Sequence, residues 1–121
     1  MSSTVTTGLK RTFTAGGSVA QYKAVTINSS GQIIEATDTA SLTIVGASDR
    51  AASSGEAITI SLANAGGSAY IMGNDPITAG DKVYAAAGGR VDLVANVTND
   101  VLVGTALSAG GDGEIIEVLF A

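Results

Sequence analysis

The sequence predicts an all-β protein, a small β-barrel or β-sandwich, on three observations. Short runs rich in Val, Ile and Thr recur along the chain, clusters of Gly, Ser, Asn and Asp bound them, and the chain resembles itself at a fixed offset. The expected strands are 19–27, 32–36, 42–47, 57–63, 69–72, 82–85, 90–95, 101–107 and 114–120. Between them lie the turn clusters Asn28-Ser29-Ser30-Gly31, Ala65-Gly66-Gly67, Ala87-Gly88-Gly89 and Gly110-Gly111-Asp112-Gly113. Regular spacing of such runs argues for a sandwich or barrel.

The alternation is clearest in Ala57-Ile58-Thr59-Ile60-Ser61-Leu62, where Ile58, Ile60 and Leu62 share one face and Ala57, Thr59 and Ser61 the other. The last strand is different. Ile116, Val118 and Phe120 make its core face, but Ile115, Glu117 and Leu119 make the opposite one. A strand apolar on both sides needs cover on both sides, from a loop of the same chain or from a second subunit. Ile115, Glu117 and Leu119 are therefore the candidate oligomer interface, with a basic or polar partner required for Glu117.

Shifting the sequence by 58 residues aligns 22–63 with 80–121 without a gap. Val25 falls on Val83, Gly31 on Gly89, Val45-Gly46 on Val103-Gly104, Gly55-Glu56 on Gly113-Glu114 and Ile58 on Ile116. Glycines recur where a turn needs positive φ or a close backbone approach. The expected fold is thus two tandem copies of a strand unit, with Pro76 marking the connection between them. The Thr- and Ser-rich run 1–14 shows no core pattern and is expected to be a flexible N-terminal arm, leaving 15–121 as a single β domain.

At 121 residues, with 45% hydrophobic and 14% charged residues, the chain has the composition of a folding domain, not of a disordered segment. It has no cysteine, so no disulfide or thiolate site can staple it. Residues 1–7 show neither the basic nor the apolar region of a secretory signal, so export by the usual route is not expected. No apolar run approaches the ~20 residues needed to span a bilayer as a helix. The sites Asn28-Ser29-Ser30 and Asn96-Val97-Thr98 fit the glycosylation pattern, which without a signal is coincidental.

The net charge of −5 is uneven. Through Ala63, Lys10, Arg11, Lys23 and Arg50 balance Glu35, Asp38, Asp49 and Glu56. Beyond it, Lys82 and Arg90 face seven acids, Asp75, Asp81, Asp92, Asp100, Asp112, Glu114 and Glu117. Nucleic acid is an unsuitable partner, since phosphate binding needs clustered cations and single strands need aromatic platforms. Lys10-Arg11 is the one adjacent basic pair, and it is the candidate binding element of the arm.

An enzyme is not expected. Without His or Cys, the Ser-His and Cys-His nucleophiles and most transition-metal sites are absent. None of the three lysines follows a serine at the S-x-x-K spacing, and without Trp a carbohydrate site lacks its stacking floor. Gly110-Gly111-Asp112-Gly113 matches a calcium-binding nonapeptide only in part, with the Asp at the wrong offset, and reads as a hairpin turn. No cofactor and no metal are expected.

The closing stretch, Val103-Gly104-Thr105-Ala106-Leu107 followed by Ala109-Gly110-Gly111-Asp112-Gly113-Glu114-Ile115-Ile116-Glu117-Val118-Leu119-Phe120, resembles the C-terminal signature of capsid cement (head-decoration) proteins of tailed bacteriophages. Ala24-Val25-Thr26-Ile27 with Gly31, Val45-Gly46, Gly55 to Leu62, and Ala79-Gly80-Asp81-Lys82-Val83 fit the same pattern. The resemblance covers the chain from about Val19 onward. It implies a non-enzymatic structural protein, made in the host cytoplasm, that sits on the outer surface of the virion shell. The major capsid protein would be its partner, a homotrimer its assembly, Lys10 and Arg11 its capsid-binding residues, and stabilisation of the shell its role. A β-rich binding module of a phage fibre, tail or adhesin is the alternative, although such a module is expected to carry aromatic or polar loop clusters for its ligand, which are missing here.

Overall fold

The alternation of residues 57–62 becomes a strand in which Ile58 and Ile60 are buried and Ala57 is exposed. The computed structural model describes residues 9–39, 42–65 and 67–121. Among them there is no α-helix, and ten strands form two five-stranded antiparallel sheets. The first sheet holds β1 (Lys10–Thr14), β2 (Ala24–Ile27), β3 (Ile33–Glu35), β4 (Gly46–Ser48) and β5 (Ala57–Leu62), in the order β1-β5-β4-β2-β3. The second holds β6 (Ser68–Met72), β7 (Lys82–Ala85), β8 (Val91–Asp92), β9 (Leu102–Ala106) and β10 (Ile115–Phe120), in the order β6-β10-β9-β7-β8. The all-β class read from the sequence is the observed one.

The two sheets are built alike at an offset of 58 residues, from β1 and β6 to β5 and β10. Each curls on itself. A parallel bridge joins Ala15, just after β1, to Ile33 of β3, and its counterpart joins Gly73 to Val91. The amides of Gly16 and Asn74 donate to the carbonyls of Ile33 and Val91 at 2.7 and 2.8 Å. Each half is thereby a small closed barrel with no free sheet edge at that seam. Val25, Ile33, Ile58 and Ile60 fill the first, and Val83, Val91, Ile116 and Val118 the second. Burying each such side chain contributes roughly 1.5–3 kcal/mol.

The halves meet through small residues. Ala24, Ala36 and Ala47 are fully buried and belong to the core of the second half. Alanine lets two backbones approach, and the Gly89 amide donates to the Ala36 carbonyl at 2.8 Å. A Cβ at Gly89 would lie 2.8 Å from that of Lys23, and the φ of +72° there also favours glycine. The Met72 amide donates to the Tyr22 carbonyl at 2.8 Å, and the Tyr22 and Tyr70 rings meet edge to face at 6.4 Å.

Several expectations need correction. Residues 10–14, assigned to the arm, form β1, paired with β5 from Lys10↔Ser61 to Thr14↔Ala57. Its sequence carries no core pattern, because four of its five residues are exposed and only Phe13 packs on the core. The remainder of the expected arm, 1–8, lies outside the described residues. The run 19–27 is not one strand: a turn with Tyr22 at φ 64° breaks it, Val19 makes a single bridge to Ala52, and Ala24–Ile27 form the strand. In 42–47 only the end joins the ladder, since Leu42 and Ile44 pack on the core of the other half. The run 90–95 shortens to Val91–Asp92 before a 3-10 turn at Val94–Asn96. Pro76 lies between β6 and β7, inside the second unit, because β6 belongs with β10.

Candidate interaction surface

On the outside of the second barrel, β10 presents Ile115, Glu117 and Leu119. Ladder partners share a face, so Met72, Tyr70 and Ser68 of β6 stand beside them, and Thr105 of β9 beside Leu119. Leu107 follows in the same row, its amide donating to the Glu117 carbonyl at 2.7 Å. Ile115, Leu119, Tyr70 and Leu107 are 36%, 44%, 45% and 46% exposed. No loop among the described residues covers this second apolar face. Glu117 is half-buried among them, and its Oε2 accepts a hydrogen bond from the Ser68 hydroxyl at 2.9 Å.

The equivalent face of the first barrel has the opposite character. Where the second half has Ile115, Glu117, Leu119, Leu107 and Tyr70, the first has Ala57, Thr59, Ser61, Asp49 and Thr12. Ala57, Thr59 and Asp49 line an open groove of about 780 Å³ together with Lys10, Arg50 and Glu56, while Ser61 is buried and donates to Asp49 Oδ1 at 3.0 Å. The inner faces differ far less: Ile58, Ile60 and Leu62 correspond to Ile116, Val118 and Phe120.

Lys10 and Arg11 do not form one basic patch. Alternation along β1 sends them to opposite faces. The Lys10 ammonium lies 2.6 Å from Asp49 Oδ2, on the groove side. Arg11 stacks its guanidinium 5.1 Å from the centre of the Phe13 ring, beside a smaller cavity that Ile27 and Leu62 also line. Arg50, which no sequence signal singled out, is exposed in the groove, and neither ion pair of the described residues includes it.

Chemistry-bearing clusters are few. Among the described residues no group of three or more acidic, His or Cys side chains could hold a metal ion. The one fully buried carboxylate, Asp92, is taken up by structure: it accepts from the Leu93 amide at 2.7 Å and from the side-chain amides of Asn96 and Asn74 at 3.0 and 3.2 Å. No helix of the described residues is long and apolar enough to cross a membrane.

No family model matches the chain. No match is found among curated proteins. Among solved structures the chain is similar to the crystal structure of the head fiber gp8.5 N base in bacteriophage phi29, with a TM-score of 0.72 over 93% of each chain and 14% sequence identity. At that identity the likeness is one of fold.

Proposed function

We propose that this chain is a structural, non-enzymatic protein of a bacteriophage virion, bound to the outer surface of the head with the major capsid protein as its partner. The observation that carries this reading is the shared fold, which extends over nearly the whole of both this chain and a head-fiber base. The sequence supports it independently. Its closing block resembles that of head-decoration proteins, and the chain offers no His or Cys for the commonest catalytic arrangements.

Two roles fit a protein on that surface. As a cement protein it reinforces the shell, which the resemblance of residues 103–120 favours. As the base of a fibre it anchors a projecting part, which the structural likeness favours. Mixing the purified protein with undecorated shells and sedimenting them tests the common premise. The protein is expected in the pellet at a saturating ratio, and its persistence in the supernatant would overturn the reading. Heating the decorated shells separates the two roles: cement raises the temperature at which the shell breaks open, and a fibre base leaves it unchanged.

A further inference from the structure

We propose that the ridge of Ile115, Glu117 and Leu119 on β10 of one chain seats in the β1-β5 groove of a second copy of the same chain. The first support is shape. The ridge and the groove are the same face of two duplicated barrels, and they have diverged in complementary directions: Ala57 and Thr59 line the groove and are small where Ile115 and Glu117 are large, and Ser61, at the position of Leu119, is small and buried at the groove's end. The cores have kept their bulk, so the divergence does not follow from folding.

Charge is the second support. Glu117 stands in an apolar setting with a neutral hydroxyl for company, and among the described residues no cation pairs with it. Arg50 is the cation of the groove without a carboxylate, since Lys10 is held by Asp49. Bringing the ridge into the groove supplies Glu117 with a guanidinium and removes Ile115 and Leu119 from water. An acidic second half is thereby set against a first half of zero net charge. Within one chain the two faces lie on different barrels, side by side at the Tyr22–Tyr70 contact, and do not face one another.

The proposal concerns the isolated protein and does not rest on binding to a phage shell. Its test is the mass of the purified chain by light scattering and sedimentation at micromolar concentration. Wild type is expected to be larger than a monomer. Glu117→Arg and Arg50→Glu should each weaken association by ~10-fold or more, the range in which close interfacial charge pairs couple. Arg50 is exposed, so its variant folds whatever happens to the other. Mixing the two single variants should restore association between unlike chains, since each then offers the other a matching pair, and the double variant should recover the wild-type mass alone. A wild-type monomer that still binds shells would assign the ridge to the capsid protein and overturn the proposal. So would an Arg50→Glu variant of unchanged mass, which would place the ridge against another ridge.

Discussion

Tyr22 holds in the first half the backbone position that Gly80 holds in the second, with φ of 64° and 95°. A left-handed conformation costs a residue with a Cβ roughly 1–2 kcal/mol, and glycine almost nothing. Tyr22 is kept there by its neighbours: its amide donates to the Ser48 carbonyl at 3.0 Å, its carbonyl accepts from Met72, and its ring meets that of Tyr70. Replacing Tyr22 by Gly or by Ala removes the ring contact equally, but only Ala retains the backbone penalty. Tyr22→Gly should therefore be the more stable of the two by about 1 kcal/mol, the reverse of the order at an ordinary site. Urea unfolding of the pair reads the sign directly, and the opposite order would show that the conformation carries no strain.

Gly46 and Gly104 are the second pair fixed by the duplication. A Cβ at either would collide with a backbone carbonyl, of Ser61 in the first half and of Leu119 in the second. Backbone in the middle of a ladder cannot step aside as a side-chain tip can. Gly46→Ala and Gly104→Ala should each cost about 3 kcal/mol, at the upper end of overpacking penalties. Gly17→Ala, with open space around it, should cost far less. Thermal unfolding of the three variants provides the comparison.

The strands whose inner faces are continuous, such as β5, β7 and β10, were legible because burial follows alternation, and the positions of Gly46 and Gly104 aligned because both face the same steric demand. β1 was not legible. Lys-Arg-Thr-Phe-Thr offers one core residue, and its ladder is specified by the partner β5 more than by itself. The groove is assembled from Lys10, from Asp49-Arg50 and from residues 56–59, and only the pairing of β1 with β5 adds Lys10 to the wall that β4 and β5 form. The ridge, by contrast, lies on a single strand, and period-two reading of Ile115, Glu117 and Leu119 found it. Closure of each sheet into a barrel rests on single bridges after β1 and β6, for which composition gives no signal.

Asp92 has no counterpart in the first half, where Ile34 stands at its position. Its carboxylate is 2% exposed and gathers three N–H donors, two of them from Asn74 and Asn96. Asp92→Ala leaves those donors without an acceptor in a buried place and should destabilise by about 3 kcal/mol. Asp92→Asn keeps one oxygen and should cost less than half as much. If the two variants unfold at the same temperature, the network does not hold the loops after β6 and β8 together.

Deletion of the N-terminus has a boundary that the structure sets. Removing residues 1–8 leaves all five pairs of β1 with β5 in place, from Lys10↔Ser61 to Thr14↔Ala57. Removing 1–14 strips that ladder, takes Phe13 off the core, and opens the side of the barrel over Ile58 and Ile60, which are 2% and 0% exposed. Each of those side chains contributes roughly 1.5–3 kcal/mol by burial, and a domain's whole stability is about 5–15 kcal/mol. The freed edge of β5 would also offer unpaired amides and carbonyls to other chains. The shorter deletion should therefore keep cooperative unfolding, while the longer one should lose it or aggregate. Calorimetry on both variants decides it. A longer deletion that melts like wild type would show that β1 contributes nothing to the first barrel and that the β domain begins at Ala15.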